Sequence, residues 1–175
     1  MDTANEAPPS AGGQPPLVQR THPAAWLWLS LAVIGLDQAT KFLVLRFFEL
    51  YERVEVLPVL DFTLLHNTGA AFSMLAGASG WQRPFFIALG LVVSVLLVAW
   101  IWRTPRGDKL LPFALALILG GALGNVIDRV RLGYVVDFVH AHWGEAYFPA
   151  FNIADSAITI GAMLLIVDAF RGRRA

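Results

Sequence analysis

The chain has 175 residues, 57% of them hydrophobic and only 15% charged, with a mean hydropathy of +0.60. That is too apolar for an ordinary soluble domain and points to a polytopic membrane protein. The formal net charge is zero, which suggests no nucleic-acid partner, and without cysteine the chain has no disulfide, thiolate catalyst or Cys-based metal site.

Residues Met1 to His22 are rich in Pro, Gly, Ala and Gln. A stretch with so few large apolar residues cannot bury enough surface to offset its ordering entropy, so it reads as a disordered tail over 1–22. The apolar run that follows carries Asp37 and Lys41 and no small-x-small cleavage site, so it reads as an uncleaved helix and not a signal peptide.

Long apolar stretches occur at Ala24–Leu45, Phe85–Trp102, Leu110–Val130 and Ile153–Phe170. Each approaches the ~20 residues that cross ~30 Å of hydrocarbon. Basic residues flank the start of span 1 (Arg20), the short loop between spans 2 and 3 (Arg103, Arg106, Lys109) and the end of span 4 (Arg171, Arg173, Arg174). By the positive-inside rule both termini and that loop are cytoplasmic. Arg46, Arg53, Arg83 and Arg131 in the outer connections blur the signal, although Glu49, Glu52, Glu55 and Asp61 offset the first of them.

The connection over 46–83 alternates Val54, Val56, Phe62 and Leu64 with Glu55, Asp61 and Thr63, broken by Pro58. This predicts two short strands, a small extracytoplasmic β-sheet on the outer membrane face. Asn67-Thr68-Gly69-Ala70-Ala71-Phe72 then reads as a tight turn. The connection over 131–149 mixes Val135, Val136, Phe138, Val139 and Trp143 with His and Asp, and reads as an interfacial amphipathic segment. The expected fold is thus an all-α polytopic membrane protein of four transmembrane helices with that small sheet. One membrane domain covers 23–171, and 172–175 forms a basic C-terminal tail.

Polar groups gather at one depth. Asp37 lies ~20 Å into span 1 from the cytoplasm, and Asn125 and Arg129 lie ~22 and ~28 Å into span 3. Asp155 stands at the outer start of span 4, and Asp137 on the outer interfacial segment. Charges in hydrocarbon cost at least ~2.5–3.5 kcal/mol each, so groups kept at one level are expected to serve a purpose. Facing agrees with depth: Asp37 with Lys41, Gly121 with Asn125, Asp128 and Arg129, and Asn152 with Asp155, Ser156 and Thr159 each share one helical face.

Asp37 with Lys41, and Asp128 with Arg129 or Arg131, also fit an ion-pair lattice that holds the bundle together. Asp137 and Asp155 have no basic neighbour in sequence, and two carboxylates brought close share a proton. One then acts as base on a water while the other protonates a carbonyl oxygen. Asn67 and Asn152 fit either a turn or cap role or substrate hydrogen bonding. Gly120-x-x-x-Gly124 fits close helix packing. His140-x-His142 near Asp137 and Glu145 lacks the spacing of a helical metal motif, so no metal is expected. A Ser/Lys dyad of Lys41 with Ser73 or Ser156 is disfavoured because Asp37 would keep Lys41 charged.

Five ordered strings carry a resemblance: Asp37-Gln38-Ala39-Thr40-Lys41, Asn67-Thr68-Gly69-Ala70-Ala71-Phe72, Gly124-Asn125-Val126-Ile127-Asp128-Arg129, Val136-Asp137-Phe138 and Phe151-Asn152-Ile153-Ala154-Asp155. Over about Trp26 to Phe170 the chain resembles the lipoprotein signal peptidases (signal peptidase II). The resemblance implies an aspartyl endopeptidase of the bacterial cytoplasmic (inner) membrane, without metal or cofactor. Its implied partners are membrane lipids and prolipoproteins, whose signal peptide is cut just before a diacylglyceryl-modified cysteine. It also implies inhibition by globomycin-type cyclic peptides. By motif, Asp137 and Asp155 would be the catalytic pair, opening toward the outer face. Asn67, Asn125, Arg129 and Asn152 would line the site, with Asp37 and Lys41 supporting it and Asp128 tethering the bundle. The alternative from another class is a small proton-coupled transporter or channel subunit, which should carry polar groups along a path reaching both faces.

Overall fold

The computed structural model describes residues 22–69 and 80–172. Most of the expected N-terminal tail, the end of the Asn67 turn motif (Ala70 to Phe72), Ser73, and Arg173 and Arg174 lie outside the described residues. A 3-10 turn, Pro23–Trp26, leads into α1 (Leu27–Phe47), followed by β1 (Arg53–Leu57), β2 (Leu60–Asn67), α2 (Gln82–Arg103), α3 (Leu110–Arg131), β3 (Val135–Trp143), β4 (Ala146–Tyr147) and α4 (Ile153–Gly172).

The four helices are each long and apolar enough to cross a membrane, at Pro23–Phe47, Gln82–Arg103, Leu110–Arg131 and Ile153–Arg171. Their burial differs sharply. In its most apolar stretch α3 is 56% buried, against 22% for α1 and 17% for α2 and for α4. So α3 is the central helix, packed against each of the other three, while their outward faces present Leu, Val and Phe for lipid. Small residues make the approach possible. A Cβ on Gly120 would meet Val33 Cβ at 2.7 Å, one on Gly124 would meet Asp37 Oδ2 at 2.7 Å, and one on Gly121 would collide with the Ala154 carbonyl. The α1–α3–α4 junction is therefore closed by backbone contact at the level where the polar groups lie.

The extramembrane part corrects the all-α expectation. Residues of both outer connections build one antiparallel sheet in the order β1-β2-β3-β4. The segment over 131–149, read as amphipathic and interfacial, is a β-hairpin: β3 pairs with β2 through Leu65–Asp137 and Asn67–Val135, and with β4 through His142–Tyr147. The reason lies in burial. Val135, Val136, Asp137 and Phe138 are buried in succession, so both faces of β3 are covered and no period-2 pattern marks the strand. Gly133, at φ +90°, turns the chain out of α3 into it. Val44 of α1, Leu64, Val136 and Phe138 form the apolar seat that fixes the sheet to the helix ends.

Candidate active site

The site rests on a buried cluster of charge. Lys41 Nζ lies 2.9 Å from Asp37 Oδ2 and 2.8 Å from Asp128 Oδ2, and donates to Asn125 Oδ1 at 3.0 Å. One ammonium faces two carboxylates, so the remaining oxygens must be satisfied by neutral donors. Asp37 Oδ1 accepts from the Ala154 N–H at 2.9 Å, Asp128 Oδ2 from the Val136 N–H at 3.2 Å and Asp128 Oδ1 from Gln38 Nε2 at 2.8 Å. The cluster thereby fastens α1, α3, β3 and the start of α4 to one another. Asp128 pairs with Lys41 and not with Arg129 or Arg131 as the ion-pair expectation had it. Consecutive helical residues point about 100° apart, so Asp128 turns toward α1 while Arg129 faces elsewhere. Arg131 donates to Gln38 Oε1 at 3.2 Å.

Above this cluster stand Asp137 on β3 and Asp155 in the first turn of α4, linked by three asparagines. Asn152 donates from Nδ2 to Asp137 Oδ1 at 2.8 Å, and its backbone N–H lies 3.3 Å from Asp155 Oδ2. Asn67, at the end of β2, donates to the second Asp137 oxygen at 2.9 Å. Asn125, one turn before Arg129 on α3, donates to Asp155 Oδ1 at 2.8 Å. The Oδ1 of Asn125 accepts from Lys41 and, at 3.3 Å, from Asn152, which fixes the amide orientation. Each carboxylate is thus held by amide donors, and among the described residues no cation is in ion-pair contact with either.

Both aspartates open into a cleft of about 1080 Å³, also lined by Asn67, Asn125 and Arg129. Asp137 is only 3% exposed. Burial, and then the negative charge of Asp155, push its carboxyl up to about 7, against the opposing donation from Asn67 and Asn152. Arg129 donates to the carbonyls of Asn125 at 3.2 Å and Gly69 at 3.3 Å, and its guanidinium sits 5.0 Å over the Phe86 ring.

The eight residues singled out from the sequence therefore form connected layers: Asp37 and Lys41 lie below, Asn67, Asn125, Arg129, Asp137 and Asp155 line the cleft, and Asn152, expected to line it too, is wholly buried behind the two aspartates. The cleft's outer wall was not anticipated. It includes Tyr51, His66, Tyr147, Phe148 and Phe151. His66 stacks on Tyr134 at 3.8 Å, and Tyr147 packs against His140 and His142 with the Arg53 guanidinium 4.6 Å over its ring. These contacts join residues far apart in sequence, and only the sheet register brings them together. The rings of the metal-ligand candidates His140 and His142 both pack on Tyr147, and His142 Nε2 lies 3.4 Å from Asp61 Oδ1. Among the described residues, no three of His, Asp or Glu are grouped to hold a metal ion. Ser156 Oγ donates back to the Asn152 carbonyl at 2.9 Å.

Comparison with known proteins identifies the family and the fold. Residues 29–171 match the family model described as signal peptidase (SPase) II. The chain is 56% identical over 149 residues to a lipoprotein signal peptidase of Acinetobacter baumannii, covering 85% of each. It is 50% identical over 162 residues to that of Pseudomonas fluorescens, covering 91% of this chain and 95% of the relative. A solved structure described as a bacterial membrane enzyme, determined by the in meso method at 2.3 Å resolution, superposes with a TM-score of 0.76 at 34% identity, over 85% of this chain and 88% of that one. A second, described likewise at 1.9 Å resolution, gives 0.75 at 32% identity over 83% and 92%. With four membrane-spanning helices, this multi-pass bacterial membrane protein belongs to the signal peptidase II family.

Proposed function

We propose that the chain is an aspartyl endopeptidase that removes signal peptides from diacylglyceryl-modified prolipoproteins, cutting just before the lipidated cysteine. The observation that carries this reading is the pair Asp137 and Asp155, joined through Asn152 at the floor of one cleft. Two carboxylates so placed share one proton. The ionised one takes a proton from water as the hydroxide adds to the scissile carbonyl carbon, and the other gives its proton to the carbonyl oxygen. When the tetrahedral species collapses, the C–N bond breaks, the departing nitrogen takes a proton from the protonated carboxyl, and a hydroxyl of the gem-diol gives its proton to the ionised one as the new C=O forms. The pair returns to its singly protonated state, and neither metal nor cofactor takes part. Asn67, Asn125 and Asn152 orient the dyad, and Arg129 holds substrate backbone or headgroup at its side.

Basic residues before α1, in the loop between α2 and α3 and at the end of α4 support a topology with cytoplasmic termini and the cleft at the outer face of the inner membrane. A bond at that depth is reached when a lipid holds the adjoining residue at the same level. A diacylglyceryl group contributes ~0.8 kcal/mol for each buried methylene, so it supplies both affinity and depth registration. Globomycin-type cyclic peptides, implied by the family resemblance, would occupy the same dyad.

Cleavage of a lipidated precursor in detergent or liposomes tests the reading. Asp137→Asn and Asp155→Asn keep shape and hydrogen bonding but cannot share the proton, and each should lose several orders of magnitude in rate while folded protein is still recovered. The unlipidated precursor should be cut at least ~100-fold less efficiently by the native chain, about 2.7 kcal/mol of transition-state binding. Near-normal turnover by either variant would remove the aspartyl mechanism, and equal kcat/KM for both precursors would remove lipid recognition.

A further inference from the structure

Arg129 reaches the cleft from the last turn of α3, where helix backbone is least secured. The last four carbonyls of a helix have no partner within it, and a side chain on the final turn is only as fixed as that turn. Here the partner comes from the start of α2. Arg83 donates from Nε to the Arg129 carbonyl at 2.8 Å and from Nη2 to the Val130 carbonyl at 2.9 Å. The planar guanidinium fork presents two fixed, nearly parallel donors to two successive carbonyls, a geometry that the diverging donors of an ammonium on a flexible stem do not match. Its third nitrogen, Nη1, lies 3.7 Å from where a Cβ on Gly133 would stand, against the turn that leads from α3 into β3.

Phe86 is three residues further along α2, on the same helical face. Its ring lies under the Arg129 guanidinium at 5.0 Å. The first turn of α2 therefore grips Arg129 at both ends, backbone through Arg83 and head group through Phe86. Arg129 passes the restraint on, since its Nη2 donates to the carbonyl of Gly69, two residues past Asn67.

We infer that Arg83, together with Phe86, is a positioning residue that holds Arg129 in the cleft. The inference rests on the peptidase reading proposed above. Arg83 is exposed, so replacing it leaves no buried charge stranded. Its loss misplaces Arg129 without dismantling the buried cluster under the dyad.

The test is kinetic, on the full chain with a lipidated precursor, and compares Arg83→Gln, Arg83→Lys, Phe86→Leu and Arg129→Lys with the combination Arg83→Gln/Arg129→Lys. Arg83→Gln should lower kcat on the order of 10- to 100-fold with KM changed less than about threefold, and Arg83→Lys, which keeps the charge and donors but loses the planar fork, should fall between it and wild type. Phe86→Leu leaves both carbonyls capped and should lower kcat about 3- to 10-fold. If Arg83 acts through Arg129, Arg83→Gln should cost less than about twofold in the Arg129→Lys background. Full additivity there, or wild-type kcat in Arg83→Gln, would overturn the inference while leaving the peptidase reading intact. If Arg83→Gln does not fold, Phe86→Leu alone decides, and wild-type kcat in that variant overturns the positioning role. A native chain that leaves the precursor uncut overturns the peptidase reading, and this inference with it.

Discussion

Asn152 and Asp155 cap each other across the first turn of α4. The Asp155 N–H donates to Asn152 Oδ1 at 2.9 Å, and Asp155 Oδ2 accepts from the Asn152 N–H at 3.3 Å. This is the reciprocal logic of a capping box, written with a shorter acid. The amide nitrogen left over is the group that reaches Asp137. One residue thereby starts the helix, orients one carboxylate and binds the other. Asn152→Ala should cost about 1 kcal/mol for the lost cap and a further ~1–3 kcal/mol for the buried groups left unpaired, and should abolish cleavage. Asn152→Asp keeps the cap acceptor but sets a third carboxylate against Asp137. It should retain more of the helix's stability than the alanine variant and regain no activity. Thermal unfolding in detergent, read beside cleavage, separates the two effects, and an active Asn152→Asp protein would contradict this division of roles.

The charge cluster beneath the dyad predicts an asymmetric mutational response. Lys41→Met leaves Asp37 and Asp128 buried without their cation, and should cost about 3–5 kcal/mol or prevent folding. Asp37→Asn removes one of two carboxylates around a single ammonium and keeps an acceptor for the Ala154 N–H. Its cost should be about 1–3 kcal/mol, with measurable activity retained. Denaturation midpoints for the two variants check the order, and a Lys41→Met protein as stable as Asp37→Asn would show that the cluster is not charge-coupled.

Asp137 links pH to both activity and stability. Its carboxyl is raised from 3.8 to about 7, chiefly by burial. Such a group keeps its proton in the fold where the unfolded chain has lost it, so its contribution to stability is present below about pH 4 and declines as pH rises toward 7. Asp137→Asn has no such decline. Relative to wild type it should become more stable as pH rises from about 4 to about 7, by up to about 4 kcal/mol, and level off above that. Cleavage by the native chain should fall above about pH 7 as the shared proton is lost, with an apparent value belonging to the pair. A stability difference that is flat with pH would rule out the raised carboxyl.

The cysteine-free chain makes topology directly measurable. Arg106→Cys, in the loop between α2 and α3, should resist a membrane-impermeant thiol reagent in intact cells and react after lysis. Trp143→Cys, at a position 82% exposed on the hairpin, should react from outside without lysis. The reverse pattern would invert the orientation and place the cleft in the cytoplasm.

How far the sequence speaks depends on which physics is local. The four spans are legible because length and hydropathy determine them residue by residue, and the Asp37–Lys41 contact because it follows from one turn of helix. The shared depth of Asn125, Asp155 and Asp137 follows from rise per residue. What stayed hidden needs partners distant in sequence. Four consecutive buried residues in β3 erase the alternation that would mark a strand, so its pairing with β2 is invisible until the sheet forms. Asp128 has cations adjacent in sequence, and the lysine it actually meets is on another helix. The aromatic wall of Tyr51, Tyr147 and Phe148 has no sequence signature, because exposed aromatics near a membrane are ordinary.

Asp137 and Asp155 come from different kinds of element. The first rides on a sheet seated at the helix ends, and the second is fixed in the opening turn of a span. A span adjusts to its bilayer by tilting, at a cost of only fractions of a kcal/mol per Å of mismatch, whereas a sheet outside the hydrocarbon has no such requirement. The pair therefore stays aligned only because the two elements are bolted together: Asn152 binds both carboxylates, and the Lys41 cluster ties β3 and the start of α4 to the same two helices.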